Sequence, residues 1–320
     1  MLNKLQSIDR INKLGRNGTP FFFFTDFLGT QTWVKPLDEI SSEELQFDFN
    51  PPAYSSEKPK HFTFEKFPIS EETFGKSFQY VVDQINYGYS YLVNLTFKTP
   101  VKTNLSLSDI YNYSRAKYKL KFADQFVVFS PETFVKIRDG HIFSYPMKGT
   151  IDASLPDAAG QIINDPKETA EHVTIVDLIR NDLSRVAENV EVPKFRFISE
   201  VKTHEKTLLQ VSSEIKGKLP ENFHSQLGTI LFELLPAGSI SGAPKEETIR
   251  IIEAAETYNR GFYTGICGHF DGENLDTGVM IRFIEKEGDQ LFYKSGGGIT
   301  SFSKRQKEYQ EIIDKIYIPF

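Results

Sequence analysis

Phe126-Val127-Val128-Phe129-Ser130-Pro131-Glu132-Thr133-Phe134-Val135-Lys136-Ile137-Arg138-Asp139-Gly140-His141-Ile142-Phe143-Ser144-Tyr145-Pro146-Met147-Lys148-Gly149-Thr150 is the stretch from which the fold can be read. The apolar run Phe126–Phe129 and the alternating run Phe134–Ile137 read as two strands. Asp139-Gly140 is a hairpin turn signal leading into His141-Ile142-Phe143. Elsewhere too, strands come in adjacent pairs with helices between them, which points to antiparallel pairing in an α+β arrangement. The stretch ends on a lysine between a proline and a glycine. Pro146 fixes φ and Gly149 frees it, so the backbone at Lys148 is bent and closely specified. Aimed into a cleft and desolvated there, Lys148 loses its proton more easily and becomes a nucleophile; left in solvent, it is an ordinary turn residue.

Working outward, residues 1–20 read as irregular or briefly helical, and Phe21-Phe22-Phe23-Phe24 as a buried strand. Asn50 to Pro59 is a Pro/Ser-rich loop, too short to divide two domains. Ser70-Glu71-Glu72 starts a helix that Gly88 ends, and Tyr91–Phe97 is a strand. A helix is expected over 107–118, a polar connection over 151–165 and a long helix over 167–186. Strands are expected near 207–217, 262–269, 278–285 and 290–295, with helices near 221–235, 244–258 and 303–316.

The composition is globular, with 39% hydrophobic and 25% charged residues, and 28 Phe with 14 Tyr suit a sheet-rich core. A net charge of -6 argues against a nucleic-acid partner, since phosphate binding needs a basic face. Cys267 is the only cysteine, so no intrachain disulfide forms and a reducing compartment is expected. The six histidines lack zinc spacing, and neither a signal peptide nor an apolar run of membrane-spanning length is present. A cytoplasmic protein is therefore expected.

Five further places carry candidate chemistry. Leu234 to Lys245 joins small residues to a helix start, where Ser241 could cap and free N–H groups could hold a carboxylate or phosphate. Gly296-Gly297-Gly298 follows a strand and lets the backbone approach a ligand, or is simply a flexible turn. On the last helix Glu308, Glu311 and Lys315 share one face, and two carboxylates at the lip of a glycine loop can hold a hard cation; a solvated face is the alternative. The helix through Glu171 and Asp182 is apolar over much of its circumference and should be substantially buried, with Asp177, Arg180 and Asp182 pairing inside the scaffold. Arg282 is a charge within the strand-like run Val279–Ile284, and it needs a protein or ligand carboxylate.

Taken in order, Ser130-Pro131-Glu132-Thr133-Phe134, the Pro-Met-Lys-Gly-Thr motif, Glu171-His172 through Asn181-Asp182, Ser241–Lys245, Gly261–Gly265, Ile281-Arg282 and Gly296–Gly298 resemble the chorismate-utilising enzymes. That family includes the synthase subunits of anthranilate and aminodeoxychorismate synthases, and isochorismate and salicylate synthases. The resemblance covers roughly residues 65–320. It implies one α+β domain, a sandwich of antiparallel sheets flanked by helices, with 1–60 a trimmed N-terminal part and 61–320 the catalytic part. It implies that Glu171 and Glu311, with Glu308 beside them, hold a Mg²⁺ that binds the ring carboxylate of chorismate together with backbone at Gly296, Gly297 and Gly298. Arg282 and Tyr263 match the groups that bind the enolpyruvyl carboxylate, and Ser239, Thr150 and Lys315 join the substrate-binding set. Lys148 selects the aminodeoxychorismate synthase branch, where lysine attacks C2 of chorismate, Glu132 protonates the departing C4 hydroxyl, and ammonia from a glutamine amidotransferase partner expels the lysine. A neutral amine near the metal is the nucleophile this implies. Anthranilate or isochorismate synthase activity, or a non-catalytic metabolite-binding homologue, are the alternatives. Gln210 stands where the family has histidine, and glutamine cannot serve as its acid or base.

Overall fold

A computed structural model describes residues 1–51, 59, 61–202 and 207–320, without the side chains of residues 167, 201 and 202. Most of the Pro/Ser-rich loop lies outside the described residues. In chain order the first half comprises helix α1 (Lys4–Arg16), strands β1 (Phe21–Thr25), β2 (Thr32–Pro36), β3 (Leu45–Phe49) and β4 (Phe64–Lys66), helix α2 (Glu71–Asn86), strand β5 (Leu92–Thr103) and helix α3 (Leu107–Tyr113). Strands β6 (Tyr118–Phe122), β7 (Phe126–Ser130), β8 (Thr133–Arg138), β9 (His141–Ser144) and β10 (Met147–Asp152) follow, then helices α4 (Ala158–Asn164) and α5 (Pro166–Leu183). The remainder is β11 (Glu188–Lys202), β12 (Thr207–Lys218), α6 (Leu227–Glu233), β13 (Gly242–Ala243), α7 (Lys245–Ala255), β14 (Ile266–Phe270), β15 (Leu275–Val279), β16 (Phe283–Glu287), β17 (Gln290–Ile299) and α8 (Arg305–Asp314).

The strands form two antiparallel sheets. One runs β10-β12-β9-β8-β15-β14-β1-β2 with β11 on β12, and the other β13-β5-β17-β16-β7-β6-β3 with β4 on β5. The expected α+β class and antiparallel sandwich hold. β1 shows how the sequence builds the two layers. Successive side chains of a strand point to opposite faces. Phe21 and Phe23 therefore enter the core that also holds helical Ile11, Phe74 and Val176, whereas Phe22 and Phe24 enter the core shared with Leu120 and Phe126 of the facing sheet. Residues 1–49 supply β1 and β2 to one sheet and β3 to the other.

Several expectations need correction. The N-terminus carries a 13-residue helix, fixed by a reciprocal capping box between Asn3 and Gln6. The helix expected over 107–118 ends at Tyr113, and Tyr118 opens a strand instead. The supposed polar connection after Asp152 contains α4. Only one side of α5 is buried, by His172, Ile175, Val176 and Leu183, while Asp177 and Arg180 are exposed and pair across one turn. The single strand expected over 278–285 is two. β15 belongs to one sheet, β16 to the other, and the chain crosses between them at Arg282 with φ of 55°. The glycine run is no turn: Gly296, Gly297 and Gly298 lie inside β17, opposite Thr96, Leu95 and Asn94.

Candidate active site

The two sheets and α5 enclose a cavity of about 500 Å³ that is lined by Lys148, Thr150, Glu171, Ser239, Arg282 and the other residues anticipated from the sequence. Lys148 arrives from β10. Its strand pairs with β12, and the register slips between Lys148 and Thr150. Gly149 fills that bulge at φ 79°, a left-handed conformation that costs glycine little. The bulge turns Lys148 inward, where its Nζ lies 2.8 Å from Oε2 of Glu171. Thr150 is exposed at the cavity's lip.

The opposite wall is β17. With no side chain on Gly297, the space over it opens toward Glu308, Glu311 and Lys315: a Cβ there would lie 3.7, 3.8 and 3.9 Å from Glu308 Oε2, Glu311 Oε1 and Lys315 Nζ. α8 presents Glu308 and Glu311, and Lys315 caps its C-terminal end. Lys315 pairs with Glu311 at 2.7 Å and donates to the Gly296 carbonyl at 2.9 Å. Glu308 is buried. The Lys148 amine would lie 3.6 Å from a Cβ on Gly298, so it reaches across to the glycine wall.

Glu132 sits between β7 and β8, and Ser239 donates a hydrogen bond to its carboxylate. Burial raises the Glu132 pKa, while Ser239, Arg282, Lys148 and Lys315 hold the rise in check. A carboxyl whose pKa is raised holds its proton to higher pH than an ordinary one and is available as a proton donor. Arg282 points into the cavity from the sheet crossover, with Nε 3.4 Å from the Tyr317 hydroxyl. Burial opposes its charge, but Tyr293 and Tyr317 leave its pKa raised. It makes no ion pair among the described residues, so the protein carboxylate that the sequence reading offered as its partner is not found there. Tyr263 is buried beside it, and burial raises its phenol pKa, so it stays protonated.

One electrostatic expectation reverses. Burial disfavours the Lys148 charge, but Glu171, then Glu168 and Glu311, outweigh it and hold the pKa above the ordinary lysine value. These carboxylates therefore hold Lys148 as an ammonium rather than a neutral amine. Lys315 goes the other way: burial lowers its pKa against the pull of Glu311.

Sequence reasoning did not single out Glu168, which lines the cavity; its Oε2 would lie 3.2 Å from a Cβ on Gly149. Its spacing of three residues from Glu171 on one helix face was the available signal. Gln210 lines the cavity from β12, opposite Thr150. Ser241 does not cap α7; its hydroxyl turns back to the Ala237 carbonyl. Asp182 pairs with Lys245 at 2.8 Å, within the scaffold as expected. Among the described residues no three His, Cys, Asp or Glu side chains are grouped as metal ligands. The cavity is lined by carboxylates, among them Glu168, Glu171, Glu308 and Glu311, by hydroxyl and amide oxygens and by a bare glycine wall, with no His or Cys among its lining residues. That set fits a hard divalent cation such as Mg²⁺ rather than zinc.

No helix among the described residues is long and apolar enough to cross a membrane. Residues 26–319 match the model of the chorismate binding enzyme family. An uncharacterized PabA-like protein of Haemophilus influenzae is 48% identical over 98% of this chain and 96% of its own length. Aminodeoxychorismate synthase component 1 of Bacillus subtilis is 31% identical over 90% of this chain, which spans 60% of that relative. The crystal structure of anthranilate synthase component I from Streptococcus pneumoniae superposes with a TM-score of 0.69 at 27% identity, covering 82% of this chain and 60% of that one. With a matching fold, and a cavity formed by the residues that carried the resemblance, the chain belongs to the chorismate binding enzymes.

Proposed function

We propose that this chain is the synthase subunit of an aminodeoxychorismate synthase, converting chorismate and ammonia to 4-amino-4-deoxychorismate. The observation that carries this reading is Lys148. It stands in the cavity between Glu171, 2.8 Å from its amine, and the glycine wall. Arg282 and Tyr263 hold the enolpyruvyl carboxylate, with the buried guanidinium supplying the charge-assisted hydrogen bonds. Glu171 and Glu311, with Glu308, would hold Mg²⁺, which when bound neutralises these carboxylates and anchors the ring carboxylate against Gly296–Gly298. Ser239 and Thr150 complete the substrate contacts.

The chain's own residues then account for the exchange. Glu132, whose pKa burial raises, gives its proton to the C4 hydroxyl, because hydroxide leaves poorly otherwise. Once Lys148 has passed its extra proton to solvent, its amine forms a bond to C2, the ring double bonds shift, and the C4–O bond breaks as water departs. Ammonia adds at C4, the C2–N bond breaks, and the lysine is restored. We propose that ammonia comes from a glutamine amidotransferase subunit; that both the Bacillus and Streptococcus proteins are called component 1 of a synthase supports a second subunit. Incubating the protein with chorismate, Mg²⁺ and ammonium tests the reading. Aminodeoxychorismate is expected; anthranilate or isochorismate would overturn the branch.

A further inference from the structure

Behind the cavity wall lies an ion pair that touches no substrate space yet reaches three segments of the site. The side chains of Arg260 and Glu256 are 3% and 2% exposed. A guanidinium has five N–H donors, and each of the five here has an acceptor. Nε and Nη2 donate to Glu256 at 2.9 and 2.6 Å. Nη2 also donates to the Asn94 carbonyl at 2.5 Å. Nη1 donates to the Ile240 carbonyl at 2.9 Å and to the Thr264 hydroxyl at 3.4 Å. Glu256 is saturated in turn, accepting from the backbone N–H and the hydroxyl of Thr96 at 2.8 Å each. The Phe27 ring covers the guanidinium at 4.5 Å.

A buried pair of this kind adds little net stability over an apolar replacement, because desolvation offsets the attraction. What it supplies is geometry. Asn94 lies on β5 opposite Gly298, Ile240 follows Ser239, and Thr264 follows Tyr263. We infer that Arg260 is a positioning residue: its guanidinium locks the Gly238–Ile240 turn to the β5 wall, and so fixes the hydrogen bond from Ser239 to Glu132. Lysine cannot replace it, since a single ammonium cannot span two carbonyls on different segments while also pairing with a carboxylate. The functional half of this inference rests on the chorismate reading above.

The test compares Arg260→Lys, Ser239→Ala and the double variant in turnover of chorismate with ammonium, alongside amide exchange in Arg260→Lys. The kcat of Arg260→Lys falls about tenfold to a hundredfold, the scale of a catalytic group displaced by about 1 Å. Because Arg260 acts through Ser239, the double variant is slower than Arg260→Lys by no more than about twofold; losses that multiply overturn the inference. The Asn94 and Ile240 amides, bonded to Ser241 and Ala237, exchange at least about tenfold faster in Arg260→Lys, and unchanged protection overturns the clamp. This second arm needs no substrate, so a wild-type protein inert toward chorismate overturns the proposed function while the clamp is still decided. Should Arg260→Lys fail to fold, Glu256→Gln is read by the same two measurements, with the same directions and smaller changes.

Discussion

The glycine wall gives a prediction in which neighbouring identical substitutions have opposite consequences. Gly296 and Gly297 both lie in β17 outside the positive-φ region, so alanine is conformationally acceptable at either. Their surroundings differ. A Cβ on Gly296 would lie 2.5 Å from Thr96 Cγ2 and 2.7 Å from the Leu95 carbonyl oxygen, which is backbone and cannot swing aside. A Cβ on Gly297 meets nothing closer than 3.7 Å, and what it meets is Glu308, Glu311 and Lys315 on the cavity floor. Gly296→Ala therefore overpacks the sheet and costs about 1–3 kcal/mol of stability. Gly297→Ala keeps wild-type stability or gains up to ~1 kcal/mol by restricting the unfolded chain. Its methyl group occupies the space against which a ligand carboxylate would rest, and overpacking on the same scale weakens chorismate binding roughly fivefold to a hundredfold. Urea unfolding and calorimetric titration with chorismate measure both effects. Equal destabilisation by the two substitutions, or wild-type affinity in Gly297→Ala, would refute the placement of this wall.

Other consequences follow from the same geometry. Lys148→Ala slows amination by at least about 10²-fold while the protein still folds, read from steady-state kinetics beside a thermal melt; wild-type rates would remove the lysine from the mechanism. Lys245→Ala strands the largely buried Asp182 carboxylate and costs about 3–5 kcal/mol in urea unfolding, and a loss below about 1 kcal/mol would contradict that burial. Burial, with Lys136 nearby and against the pull of Asp276, lowers the Lys117 pKa to about 8. Between pH 8 and the unfolded value of 10.5 the unfolded chain binds more protons at this site, so stability rises with pH across that window by about 1–3 kcal/mol. Lys117→Met lacks this rise; parallel stability curves for the two proteins from pH 8 to 10 would show that the site carries no such penalty.

The parts of the fold that local chemistry determines were legible. Asp139-Gly140 marked a two-residue turn, and the structure pairs Arg138 with His141 across it. The alternating run before it and the apolar run after Asn86 became β8 and β5. What stayed hidden depends on distant partners. The glycines of β17 pair with residues about 200 positions earlier, so nothing nearby distinguished a strand from a turn. Arg282 read as one charge in a single strand because the passage from one sheet to the other is a tertiary event, marked only by a left-handed φ. The α1 helix, by contrast, had signals that were not used: Asn3 and Gln6 at capping-box spacing, and Ser7, Ile11 and Leu14 on one buried face. At the site, residue identities were legible from motif order, but charge states were not. Whether Lys148 holds its proton depends on Glu171, Glu168 and Glu311, which only the folded chain gathers around it. Arg260 escaped notice for the same reason, since its role lies in which carbonyls the fold brings to it.

The central claim is that Lys148 bonds to substrate, and one measurement addresses it directly. The protein is mixed with chorismate and Mg²⁺ in the absence of ammonium, quenched in acid, and digested for peptide mass analysis. The account predicts that the peptide bearing Lys148 gains the mass of chorismate less one water, and that the gain disappears when ammonium is added before the quench. An unmodified Lys148 peptide, from protein that aminates chorismate at full rate once ammonium is supplied, would contradict it.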